Sequence, residues 1–178
     1  MKSFYSNLFS TMERRCNSTP IGQLLVNMKV INPAELQHAI TRQQNGDKGR
    51  LIGEILMDIG NVKEKHIAWA LMTQYRFPYV PLDNYEINPE AAYLIQADIA
   101  RFYNIIPVEI MGNILTIAVS NPLNYKAIRI VEVLSRCTVQ IVVSTPSEIK
   151  RALNKFYDHN GNRRPSSFRF RKNERPKG

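Results

Sequence analysis

A 24-residue pattern occurs twice in this chain, at Pro20–Gln43 and at Leu51–Gln74, displaced by 31 residues and aligned without a gap. Five positions are identical: Ile21/Ile52, Gly22/Gly53, Leu25/Leu56, Ala39/Ala70 and Gln43/Gln74. Most of the other apolar positions also pair with apolar ones, among them Leu24/Ile55, Met28/Ile59, Ile31/Val62, Leu36/Ile67 and Ile40/Leu71. A copied unit of this length is one supersecondary element that cannot bury its apolar face alone. Two adjacent copies are therefore expected to stack on each other.

Each copy reads as helix–turn–helix. In the first, Ile21, Leu24, Leu25 and Met28 form a stripe of helical period. Asn32-Pro33-Ala34-Glu35 is a helix start, with Asn as N-cap, Pro in the first turn and Glu at the capping-box position. Leu36, Ala39, Ile40 and Gln43 then share one face. In the second copy Gly60 suits a left-handed C-terminal cap, and Ile67, Ala70, Leu71 and Gln74 repeat the face. Lys29 stands where Gly60 stands in the other copy, so the first turn is expected to find a different cap. Residues 44–50 (QNGDKGR) read as a flexible, turn-rich linker.

Beyond Pro78 the pattern changes. Tyr79–Leu82 is a short extended run, and Asn88-Pro89-Glu90 opens a helix expected to reach about Tyr103. Ile105–Val108 and Ile114–Val119 read as strands around a turn at Gly112-Asn113. A helix over Tyr125–Ser135, a strand at Val139–Val143 and a helix opened by Thr145-Pro146-Ser147-Glu148 end near Tyr157. The expected fold class is α+β. Residues 1–18 are a lead-in, 19–77 a tandem repeat forming a four-helix unit, 78–157 an α/β subdomain with a sheet of 3–4 strands, and 158–178 a disordered basic tail.

Charge locates the tail. Seven Lys/Arg against Asp158 and Glu174 place five of the nine net positive charges in residues 158–178, so the body is only mildly basic. Arg163, Arg164, Arg169, Arg171 and Lys172 with Phe168 and Phe170 could contact RNA or an anionic surface, but a solubilising extension is the simpler reading. Cys16 and Cys137 form no ligand-spaced pair and read as reduced thiols. Met1–Cys16 lacks the apolar core of a signal peptide, and no run of about 18 apolar residues predicts a transmembrane helix. The three histidines (His38, His66, His159) fall at unrelated positions, no phosphate-binding loop or hydrolase motif is present, and no carboxylate dyad shares a helix face. Catalysis and a metal site have no support in the sequence.

The repeat, an apolar residue followed by Gly-x-x-Leu on one helix and Leu/Ile…Gln on the next, resembles the MshEN domain. That domain is the N-terminal region of type II secretion and type IV pilus assembly ATPases. The resemblance runs from about Thr19 to Tyr157 and includes Ala118-Val119-Ser120-Asn121-Pro122-Leu123-Asn124, similar to the family's A-x-x-D-P-x-x loop. Some members bind cyclic di-GMP through both repeats. The resemblance implies that Ile21, Leu36, Ile40, Ile52, Ile67 and Leu71 pack on guanines, that Gln43 and Gln74 hydrogen-bond the ligand, and that Gly22 and Gly53 let helix-start N–H groups approach phosphate.

The charged positions depart from the family. Binders carry Arg at the first place of each repeat, and here Pro20 and Leu51 stand instead. Arg50 is one residue away from Leu51 and is the candidate substitute. Asn121 replaces the loop Asp. Each lost charge-assisted bond costs about 1.5–3 kcal/mol, so two or three move a micromolar binder towards millimolar. Core packing explains the aliphatic positions without a ligand, but not a glutamine twice in the same register. The expected function is a non-enzymatic docking module in the cytoplasm, peripheral at the inner membrane through a secretion or pilus assembly partner, either an inner-membrane component or an ATPase. The alternative is a cyclic di-GMP sensor.

Overall fold

The computed structural model describes residues 19–60 and 62–158. The lead-in 1–18, with Cys16, and the tail from His159, with its expected disorder, lie outside the described residues. The two copies form four helices: α1 (Ile21–Asn27), α2 (Pro33–Asn45), α3 (Ile52–Ile59) and α4 (Glu64–Tyr75). The start of α2 follows from its residues. Asn32 Oδ1 accepts from Glu35 N at 2.9 Å, and the Glu35 carboxylate accepts from Asn32 N at 2.7 Å. These bonds satisfy two of the donors that a helix start leaves open.

The first turn corrects an expectation. Lys29 finds no substitute cap; it takes up the left-handed conformation itself, with φ 57°, at the position equivalent to Gly60, with φ 111°. A side chain in that region costs about 1 kcal/mol, which the packing on either side sustains. The linker is also tighter than expected. Helix α2 runs on to Asn45, and Asp47 binds Arg42 at 2.6 Å and Arg50 at 3.3 Å, while Arg50 reaches Asp58 at 2.7 Å.

The copies pack by exchange: α1 lies mainly against α4, and α2 mainly against α3. Their shared core holds Leu24, Leu25, Ile31 and Ala39 with Ile55, Leu56, Val62 and Ala70, which are four pairs of equivalent repeat positions. Burying each large aliphatic contributes about 1.5–3 kcal/mol before chain entropy is set against it. The recurrence of Gly22 and Gly53 at one repeat position has a packing cause. A Cβ at Gly22 would lie 2.4 Å from Leu36 Cδ1, and one at Gly53 would lie 3.1 Å from Ile67 Cδ1. Each glycine lets the aliphatic residue of the following helix close onto the backbone.

The second part holds α5 (Pro89–Ala92), α6 (Ala97–Tyr103), β1 (Ile105–Met111), β2 (Ile114–Val119), α7 (Tyr125–Ser135), β3 (Thr138–Val143) and α8 (Pro146–Leu153), which passes into a π-helical turn at Asn154–Asp158. The single helix expected from Asn88 to Tyr103 is divided between α5 and α6. The break buries Ile95, and the single proton of the Tyr157 hydroxyl is shared between the carbonyls of Ala92 and Ile95, 2.9 and 3.0 Å away, where Ala92 O also accepts from Ile95 N at 3.3 Å. The sheet has three strands in the order β1-β2-β3. β1 and β2 form an antiparallel hairpin turned at Gly112, with a register shift between Pro107 and Glu109. β2 and β3 are parallel, and α7 is the crossover between them.

The two parts meet where α4 packs on β3. Ala68 and Leu71 are buried against Val143, with Ile21, Ile67, Phe77 and Tyr79 around them. A polar latch lies beside this contact: Ser147, in the first turn of α8, donates to the Glu64 carboxylate from its N–H at 3.1 Å and its hydroxyl at 2.9 Å.

Candidate functional site

Parallel β2 and β3 end side by side, and a crevice outside the carboxyl ends of parallel strands is where open α/β sheets take ligands. Here the second repeat roofs that crevice. The result is a cleft of about 190 Å³ between α3, α4 and the strand ends. Ile21, Ile52, Met57, Ile67 and Leu71 form its apolar wall, and Ser120, Asn121, Ser144 and Thr145 its polar floor.

Seven of the twelve candidate residues come together here: Ile21, Ile52, Gly53, Ile67, Leu71, Gln74 and Asn121. Gly22, Leu36, Ile40, Gln43 and Arg50 do not line the cleft. Gly22 is buried beneath Leu36, and Ile40 is half-buried on α2. The repeat is thus symmetric in sequence but not in surroundings, because the second copy supplies most of the wall of this cleft and the first copy only Ile21.

The two glutamines share one structural role. Gln43 Nε2 donates to the Arg50 carbonyl at 2.7 Å, and Gln74 Nε2 donates to the Thr19 carbonyl at 3.1 Å. Thr19 and Arg50 are equivalent positions, each preceding a repeat by one residue. Each glutamine therefore closes the end of its own copy onto the start of the other. The recurrence that packing of aliphatics left unexplained has a hydrogen-bonding cause.

Arg50 is held away from the cleft. Its guanidinium is bound by Asp58 and Asp47 and lies 4.0 Å from Glu54, and the Asp58 and Asp47 hydrogen bonds raise its pKa further. To serve as a replacement for the missing first-place arginines it would have to leave both partners. Asn121 is also engaged, its Oδ1 accepting from Leu123 N at 2.9 Å within the loop. The charge that does line the cleft is acidic, from Glu54 and Glu64, and among the described residues no Lys or Arg lines it. Glu54 accepts from Leu51 N at 3.2 Å, and Glu64 holds Ser147.

Glu54, Glu64, Ser144 and Thr145 were not singled out from the sequence. Glu64 pairs with Pro33 in the repeat alignment, so no symmetry marks it, and Thr145 reads only as a helix cap. That cap is real: Thr145 Oγ1 accepts from Glu148 N at 3.2 Å, and buried Glu148 also accepts from the Tyr79 hydroxyl at 2.7 Å. Burial and that carboxylate push the Tyr79 phenol well above its ordinary value. Of the histidines, His66 Nδ1 accepts from Lys63 N at 3.2 Å, and among the described residues no three His, Cys, Asp or Glu side chains cluster as metal ligands.

A tandem helix–turn–helix unit roofing a small sheet, with a cleft between the two, defines the architecture; among the described residues no helix is long and apolar enough to cross a membrane. The MshEN domain profile matches residues 75–163, half of the chain, and the chain belongs to that family. Its sequence is 27% identical over 141 residues to the type IV pilus assembly ATPase PilB of Myxococcus xanthus, covering 79% of this chain and 25% of that protein. It is 29% identical over 143 residues to PilB of Thermus thermophilus, covering 79% of this chain and 16% of that protein. The chain thus spans a quarter or less of these relatives. Two solved structures share the fold. MshE solved with cdg, cyclic di-GMP, superposes with a TM-score of 0.69 at 23% identity over 78% of this chain and 99% of that one. The N-terminal domain of XpsE gives 0.64 at 19% identity over 82% and 96%.

Proposed function

We propose that this chain is a non-enzymatic docking module of a type IV pilus or type II secretion machine, peripheral at the inner membrane through a protein partner that inserts apolar side chains into the cleft. The observation that carries this reading is the electrostatic character of the lining. A cyclic dinucleotide brings two phosphate charges, and here they would meet Glu54 and Glu64, with no cation among the described lining residues to pair them. An apolar peptide segment bearing Lys or Arg suits the same surface. The relatives' role in pilus assembly supports the choice of machine.

The second reading, a cyclic di-GMP sensor, is favoured by the MshE structure solved with that ligand. Calorimetric titration separates the two. At about 100 μM cyclic di-GMP a micromolar binder gains roughly 2.7 kcal/mol of stability, so neither heat nor a thermal shift is expected if the module docks protein alone. Heat that is weakened by Gln74→Ala and Arg50→Ala would replace the docking reading with the sensor. For docking itself, titration with the cytoplasmic domains of the machine's inner-membrane components should give saturable binding that Leu71→Asp abolishes; no binding to any of them would sink it.

A further inference from the structure

Helix α7 carries apolar surface that its own fold does not use. Its inner face is sealed by Ala127, Ile128 and Val131, all buried. On the outer face Lys126, Arg129, Ile130, Val133 and Leu134 line a shallow groove, at the spacing of one helical stripe. Val133 is 66% exposed and Leu134 44%, so neither serves the core of the molecule that carries it. The charge beside them is mostly basic. Lys126, Arg129 and Arg136 stand against one acid, Glu132, which interacts with Arg129.

The cleft has the complementary character, with Ile52, Ile67 and Leu71 beside Glu54 and Glu64. One surface is apolar and basic and the other apolar and acidic, and apposed potentials of opposite sign select such a pairing. The two cannot meet within one molecule. Helix α7 is the crossover from β2 to β3, so it starts beside the cleft, just after Asn121 and Leu123 in the lining, and runs away from it. Val133 lies eight residues past the helix start at Tyr125, about 12 Å along the axis.

We propose that a second molecule of this chain docks its α7 face on the cleft, head to tail. Ile130, Val133 and Leu134 then meet Ile52, Ile67 and Leu71, with Lys126 and Arg129 towards Glu54 and Glu64. This deepens the reading of the cleft as a docking site for apolar, basic segments, and rests on it. Because the two surfaces differ, the contact is heterologous, and each molecule in a pair keeps one surface open for another. One helix face on one cleft falls at the low end of interface sizes, below about 1,200 Å², so the association is transient. The machine partner and the second molecule compete for the same cleft.

Sedimentation velocity of the full chain, from about 10 μM to about 1 mM, reads the association in the range that such interfaces reach. The average mass is expected to rise with concentration; a monomer throughout overturns the proposal. Val133→Asp spoils the α7 face and Leu51→Asp the cleft, where Leu51 lines the wall. Both positions are exposed, and Asp is a favoured N-cap at Leu51, so both variants should keep the parent's circular dichroism. Each variant alone should be monomeric, while an equal mixture forms a one-to-one dimer and stops there. That mixture joins the intact cleft of one to the intact α7 face of the other. A Leu51→Asp variant that still self-associates, or a mixture that stays monomeric, overturns the head-to-tail contact. Lys126→Glu with Arg129→Glu should weaken association about tenfold, and an unchanged affinity overturns the charge pairing. Partner titrations use Val133→Asp, whose cleft is intact. Partner binding beside a monomeric parent fails this inference alone, and self-association without any partner binding fails the machine-docking reading alone.

Discussion

If the two glutamines close the repeats onto each other, removing them should weaken the ligand-free chain. Methionine matches glutamine in length but donates no hydrogen bond, so Gln43→Met and Gln74→Met delete the bonds to Arg50 O and Thr19 O with little change in volume. Each bond is part-buried, so the carbonyl left behind regains some water and the loss falls near the middle of the usual range, about 1 kcal/mol. The two bonds share no partner, so the losses should add to about 2 kcal/mol in the double variant. For a chain of this size each step lowers the melting temperature by about 3 °C. Thermal melts and urea titrations followed by circular dichroism, without nucleotide, give both quantities. If the double variant melts within about 1 °C of the parent at an unchanged urea midpoint, the clasp is wrong and the glutamines stand free for a ligand.

Two further outcomes follow from the backbone and from burial. Lys29→Gly should raise stability by up to about 0.5 kcal/mol, because Gly relieves about 1 kcal/mol of left-handed strain at φ 57° and gives back about half or more of it as unfolded-chain entropy; a lower urea midpoint would refute this. Tyr79 and Tyr157 both have phenols pushed up, Tyr79 by burial and the Glu148 carboxylate, Tyr157 by burial. A group whose folded pKa is raised contributes stability that is present below its unfolded value, about 10, and lost as pH rises. Phenolate absorbance should therefore show two of the eight tyrosines ionising only as the chain unfolds in alkali, and eight ordinary midpoints in the folded chain would contradict it.

Much of the fold was legible because local signals agreed. Asn32, Glu35, Thr145 and Glu148 mark helix starts by their own hydrogen bonds, and α7 falls at Tyr125–Ser135 as expected, with Asn124 found to cap it. The division of α5 from α6 was not legible, because the hydroxyl that satisfies its broken carbonyls comes from Tyr157, over sixty residues away. The site was half legible for a related reason. The repeat showed which residues are equivalent, and the resemblance to the MshEN domain named Ile52, Ile67, Leu71 and Gln74 among them; neither gave a sign that the copies stand in different surroundings. Arg50 looked available by its position next to Leu51, yet Asp47 and Asp58 hold it elsewhere.

The sequence alone determined that two copies would stack, which faces they would bury and where their helices would begin, since these depend on period and capping within a few residues. Only the tertiary structure decided that the copies exchange partners, that the glutamines clasp rather than point outward, and that the cleft is acidic and apolar. Those properties belong to groups far apart in the chain, and their juxtaposition is fixed by α4 packing on β3 and by the parallel pairing of β2 with β3, which sums many weak contacts that no local pattern records.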